Sequence, residues 1–112
     1  EAVNSTTTKR IVVSIQNHDT LDFLRPDDVI EISCDLSRDG LKPVTPVKVP
    51  TAQKNMIACV KEYERLAVAA ILQQDKSLAV RALMAHPLIG SYSLAKTLVE
   101  AYLDDEQFAA WR

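Results

Sequence analysis

Glycine is nearly missing from this chain. Only two occur in 112 residues, Gly40 and Gly90, and they lie far apart. A phosphate-cradling loop needs several glycines together, so that backbone N–H groups can approach the anion, and none can be built here. Cysteine is almost as scarce. Cys34 and Cys59 make no metal-type pair, and both read as buried, reduced thiols, the usual state of a small core hydrophobe. Basic residues hold no surplus: 13 Lys and Arg stand against 15 Asp and Glu, a net charge of −2. A nucleic-acid face calls for the opposite balance. No apolar run approaches the roughly 18 residues of a membrane span, and no signal-peptide pattern is present. An initial Met is lacking too. The chain opens EAVNSTTTKR, polar and without hydrophobic periodicity, so residues 1–9 read as a linker or loose start. The opening suggests a piece of a longer protein.

What is present suits one α+β domain over residues 10–112. The chain is 47% hydrophobic and 25% charged, ordinary values for a globular protein. Ile11, Val12, Val13 and Ile15 form a β-branched run that predicts a strand. HDTLDFLRPDD is a connection, because Pro26 steers Arg25 away from helix. Val29–Leu36 predicts a second strand, and Asp39-Gly40 a hairpin. The return, Leu41 to Val49, carries Pro43 and Pro46, with Pro50 just beyond. Missing ladder donors confine it to an edge strand or extended loop.

Helices follow. Thr51 can cap a helix over residues 52–73, whose apolar stripe is Met56, Ile57, Val60, Tyr63, Leu66, Ala67, Ala70 and Ile71. Gln74 or Asp75 marks a break, Asp75 caps a second helix, and Pro87 stops it at His86. Gly90 and Ser91 turn the chain into a third helix running from Ser93 to the end, with Leu94, Leu98, Ala101, Tyr102 and Phe108 on one side. Strands first and helices after define α+β.

Candidate chemistry is thin. In VKEYERLAVAAI, Tyr63 lies on the apolar stripe and reads as packing whose hydroxyl finds one partner. Glu62 with Arg65, and Lys61 with Glu64, can pair on the outer face for a few tenths of a kcal/mol each. His18, with Asp19 and Asp22, reads as a solvated turn, since a metal needs about three converging ligands. His86 suits a helix C-terminus as a cation. Asp27 and Asp28 are turn residues before a strand, and Glu31 sits within it. Nothing separates their environments as acid–base work demands.

Taken together, LRPDDVIEISC, DGLKPV, VKEYERLAVAAILQQDKSLAVRALMAHPLI and SYSLAKTLVEAYL resemble the C-terminal part of glycoside hydrolase family 4, most like its 6-phospho-β-glucosidases. Leu24, Asp27, Val29, Ile30 and Glu31 fit a family stretch like LPDDxVVEVP, while Arg25, Pro26 and Ser33 depart from it. The family pattern NxGAI is similar to Asn17-His18-Asp19-Thr20-Leu21, with Asp19 where the Gly stands. The helical block fits best, from Tyr63, Glu64, Arg65 and Leu66 through Asp75 to His86, Pro87 and Leu88.

The resemblance implies the C-terminal fold of the lactate dehydrogenase and family 4 type. It implies a cytoplasmic parent enzyme that uses NAD and a divalent metal, manganese, on a phosphorylated disaccharide, in a homo-oligomer. The implied mechanism oxidises the sugar at C3, removes the C2 proton with a Tyr base, eliminates the aglycone, adds water and returns the hydride. That family departs from the two-carboxylate scheme. Its nucleotide loop, metal Cys and His, and Tyr base lie upstream of the matched part. Asn17-His18 does not match the metal motif, nor do Cys34 and Cys59 match the metal Cys. The implied set of catalytic, cofactor-binding and metal residues within this chain is therefore empty, and the chain by itself is a structural part. A sister α-glycosidase is the nearest rival. A free-standing interaction module using the Leu94, Leu98 and Tyr102 face is the rival from another class. An exposed apolar face is also expected.

Overall fold

The structure is a computed structural model and describes residues 7–112. Of the expected loose start over 1–9, residues 1–6 lie outside the described residues, and a strand already begins at Lys9. The chain falls into two compact units, Glu1–Pro50 and Thr51–Arg112.

The first unit is a three-stranded antiparallel sheet in the order β1-β2-β3, with β1 at Lys9–Gln16, β2 at Val29–Ser37 and β3 at Gly40–Pro43. Register sorts the side chains, because alternate residues of a strand point to opposite faces. Ile11 pairs with Cys34, Val13 with Ile32 and Ile15 with Ile30, which makes one face apolar. Ile30 and Cys34 are buried there. The other face carries Arg10, Ser14, Gln16, Glu31 and Asp35, with Val12 and Val29 exposed among them.

The hairpin forms one residue earlier than Asp39-Gly40 suggested. Ser37 pairs with Gly40, so Arg38 and Asp39 are the loop. Neither has positive φ; only Gly40 does, at 117°, as the first residue of β3. The glycine thus relieves the exit of the turn rather than its centre. β3 stops at Pro43, as the proline series dictated; one more bond to β2, from Val44 N–H to Ser33 O at 3.0 Å, follows before the chain runs on to Pro50.

The second unit holds α1 (Thr51–Gln73), α2 (Lys76–Ala85), α3 (Tyr92–Tyr102) and a short 3₁₀ turn (Glu106–Phe108). Thr51, expected as a cap, is the first helical residue of α1. At the far end Gln74 adopts φ 50°, the Gln74 N–H donates to Ile71 O and the Asp75 N–H to Ala70 O. That pair of bonds is a Schellman closure of the helix. Asp75 then caps α2 by accepting from Leu78 N at 3.1 Å, and Ser91 caps α3 by accepting from Leu94 N at 3.3 Å. α2 packs on both α1 and α3. The buried positions are Ala70, Ala82, Ala95 and Val99, small side chains that let helix backbones approach closely.

Two expectations for the third helix are corrected. It ends at Tyr102 instead of running to the terminus, because Leu103 closes it onto Val99 O and Asp105 starts the 3₁₀ turn. Its buried face is set by Ala95 and Val99, with Leu98 half-buried, while Leu94, Ala101 and Tyr102 are exposed. The face is centred on the small residues, one position round from the large ones. Cys59 is exposed on α1, not buried; Cys34 alone fits the expected core thiol.

Candidate functional site

The most highly organised polar element is the connection from β1 to β2. Asn17, fully buried, stands at its head. The Asn17 side-chain amide donates to Leu21 O and to Arg25 O, both at 3.0 Å, and its Oδ1 accepts from Leu21 N at 2.8 Å. The Asn17 backbone N–H reaches Asp28 O at 2.7 Å, and His18 N–H reaches Pro26 O at 2.8 Å. Asp28, also buried, closes the other end: one carboxylate oxygen accepts from Arg25 N at 2.9 Å. A loop that would otherwise bury orphan backbone groups is thereby satisfied from within. His18 takes φ 51°, the left-handed conformation, while Asp19, standing where the family pattern has Gly, does not. The backbone demand falls one residue away from the substitution, which explains how Asp is accommodated.

His18 and Asp19 are exposed and border a shallow cleft of about 380 Å³ with Gln16 and Thr20. Asp22, Asp27 and Glu31 are exposed as well, and Asp28 is spent on the loop. The sequence candidates are therefore not brought together. Among the described residues no three His, Cys, Asp or Glu side chains could hold a metal ion. Neither Gly40 nor Gly90 belongs to a glycine-rich loop.

Tyr63 is half-buried on α1, and its ring meets the His86 ring edge-on, with centroids 4.8 Å apart and planes at 87°. His86 is the C-cap of α2, as the sequence suggested, its backbone N–H donating to Leu83 O. Its Nδ1 accepts from Leu88 N at 3.2 Å, which holds the turn that follows the helix. Tyr63 also borders an apolar groove of about 390 Å³, with Ala67, Ala79, Leu83, Leu98 and Trp111. Trp111 meets Phe108 edge-on at 6.2 Å. Lys61–Glu64 (2.8 Å) and Glu62–Arg65 (3.2 Å) pair along α1 as anticipated. The charged pairs in the middle of α1 thus flank a packing Tyr.

Sequence reasoning missed Asn17. Its signal was available: an Asn at a strand end, ahead of a long connection with no glycine to ease it.

Residues 1–89 match the family described as the family 4 glycosyl hydrolase C-terminal domain, and this chain belongs to that family. The 6-phospho-beta-glucosidase BglT of Thermotoga maritima is 33% identical over 93 residues, which cover 83% of this chain and 22% of the relative. A structure of the 6-phospho-beta-glucosidase from Thermotoga maritima, with manganese, NAD+ and glucose-6-phosphate, superposes with a TM-score of 0.79 at 30% identity, covering 95% of this chain and 26% of that one. The phospho-alpha-glucosidase PagL of Clostridium acetobutylicum is 22% identical over 103 residues, covering 92% of this chain and 23% of the relative. The chain thus spans about a quarter of the length of the relatives it matches. The three antiparallel strands and three helices are the α+β fold of that C-terminal domain, as expected. Among the described residues no helix is long and apolar enough to cross a membrane.

Proposed function

We propose that the chain is the C-terminal domain of a 6-phospho-β-glucosidase that works with NAD and manganese by oxidation and elimination. In this reading the domain is scaffold, and the nucleotide-, metal- and proton-handling groups belong to sequence outside it. The observation that carries the β assignment is the 33% identity to the Thermotoga maritima 6-phospho-beta-glucosidase over 83% of the chain. The 22% identity to the phospho-alpha-glucosidase is lower. The use of Asn17, Asp28 and His86 in holding backbone supports a scaffold role. Two free thiols agree with a cytoplasmic parent.

When bound, NAD would supply reversible oxidation of the sugar and manganese would polarise it; no residue of this chain is assigned a step. Partners in this reading are the catalytic front of the same polypeptide and further subunits. The test is a chromogenic 6-phospho-β-glucoside, offered with NAD and manganese to the 112-residue chain and to the full product of its reading frame. The expected result is turnover by the long product alone. Cleavage by the short chain would end the scaffold reading, and cleavage only of the α-anomer by the long product would move the assignment to the sister activity.

A further inference from the structure

The two edges of the sheet are not alike. β3 is short and carries Pro43, with Pro46 close behind, so few ladder donors remain on that side. β1 runs from Lys9 to Gln16 without proline or glycine, and its register against β2 is continuous, so no bulge bends it away. Register also fixes which of its backbone groups are spent. Asn17 N–H reaches Asp28 O, one step beyond the Gln16–Val29 pair, so Asn17 bonds toward β2. Alternation carries Ile15, Val13, Ile11 and Lys9 the same way. The far side of β2 agrees. Val44 N–H donates to Ser33 O, so Ser33 bonds toward β3 and away from Val12, its partner in β1. The N–H and C=O groups of Arg10, Val12, Ser14 and Gln16 therefore point out of the sheet, and among the described residues they have no protein partner. All four residues are exposed.

We infer that this edge pairs antiparallel with β1 of a second copy of the chain, about a two-fold axis through Val13. The strand is self-complementary in that register. Arg10 faces the second copy's Gln16 and Val12 faces its Ser14, and each opposed pair exchanges two N–H···O bonds. On the other face of the sheet Ile11 meets Ile15, and Val13 meets its own counterpart, so β-branched side chains oppose one another throughout. Charge agrees with the pairing. Lys9 faces Asn17 and Arg10 faces a neutral amide, which sets the cations of the two copies at opposite ends. Sliding the strands by two residues sets Ile15 against Lys9 one way and Ile11 against Asn17 the other, and the apolar match is lost. The contact is narrow. Association belongs in roughly the high-micromolar range, because lost translational and rotational freedom offsets most of what the ladder contributes. The pairing does not depend on which sugar the parent takes, which the turnover assay tests by itself.

Exposed apolar side chains on the helices could also bring copies together, so the readouts are specific to β1. In the 112-residue chain, amide exchange at Arg10, Val12, Ser14 and Gln16 should slow as concentration rises. In a mixture of isotope-labelled and unlabelled chains, an intermolecular contact should join the two Val13 α-protons, which lie close in a non-hydrogen-bonded pair. Ser14→Pro removes an outward N–H and no bond to β2, so the sheet should stay folded by circular dichroism. Both readouts should then weaken at least tenfold. Charge gives a second route that leaves the core alone, because Val12 is 62% exposed and Ser14 is exposed as well. Chains carrying V12E with S14E, or V12K with S14K, should each lose the Val13 contact, and their equimolar mixture should regain it. A mixture that fails to regain it, or a contact that persists in a folded Ser14→Pro chain, would overturn the pairing. So would fast exchange at these amides at every concentration. Slow exchange independent of concentration would overturn it too, since a strand of the same chain would then already cover the edge.

Discussion

Asn17 shows how much one buried amide can hold. All three of its side-chain bonds go to backbone groups of the loop it heads. Asn17→Ala strips partners from Leu21 N, Leu21 O and Arg25 O at once. Stability should fall by about 2–4 kcal/mol, since unsatisfied buried groups cost more than the bonds contributed. Urea denaturation of the 112-residue chain checks it, and a loss under 1 kcal/mol would mean that water replaces the amide freely. Arg10 and Asp35 are a different case. They face each other across β1 and β2, with Nε to Oδ1 at 2.9 Å. The hydrogen bond from Arg10 holds the Asp35 carboxyl below the usual carboxylate range, helped by its charge and opposed by desolvation. Because the folded value is the lower one, the pair's contribution is present above the ordinary carboxylate pKa of about 3.9. It fades as pH falls through the folded value. Carbon-detected titration should find Asp35 protonating at lower pH than an ordinary exposed Asp, and Arg10→Gln should raise its midpoint. Unchanged titration in that variant would show that the ion pair does not persist in solution.

At the level of the element, helix α1 ends on a residue unsuited to its post. Gln74 occupies the left-handed position of the Schellman closure, where a side chain costs about 1 kcal/mol and glycine does not. Space is no obstacle to the change, since the position is exposed. Gln74→Gly should therefore stabilise the helical unit, by about 0.5–1 kcal/mol, even though glycine usually weakens a helix. Thermal unfolding followed by circular dichroism reads the sign directly. This closure also marks what sequence could and could not reveal. The break at Gln74 and the cap at Asp75 were legible, because propensity and spacing are local. The early stop of α3 at Tyr102 was not. Leu98, Tyr102 and Phe108 continue a helical spacing, and only the Asp105 cap diverts the backbone before Phe108. The outward Leu94 was equally hidden, since which helical face is buried depends on the neighbour, and Ala82, Ala95 and Val99 chose it. Asn17 escaped notice for the same cause: its partners are four and eight residues away and meet only once the loop is closed.

At the level of the molecule, much apolar surface stays in contact with solvent. Leu72 is 79% exposed, Leu88 85% and Tyr102 76%, with Met56, Val68 and Ile71 also well exposed. Surface of that kind marks interaction sites or invites association. The 112-residue chain should brighten a solvatochromic apolar dye and should self-associate as its concentration rises in sedimentation experiments. A strictly monomeric chain that leaves the dye dark would show that these residues cover one another in solution.

Arg112 donates its amide to Gln74 O at 2.9 Å and accepts from Lys76 N at 2.6 Å, on either side of the Asp75 cap. Arg112 is thereby clasped to the junction of α1 and α2. The first turn of α2 inherits the clasp's protection. Amide exchange at Lys76 and at Arg112 should rise and fall together.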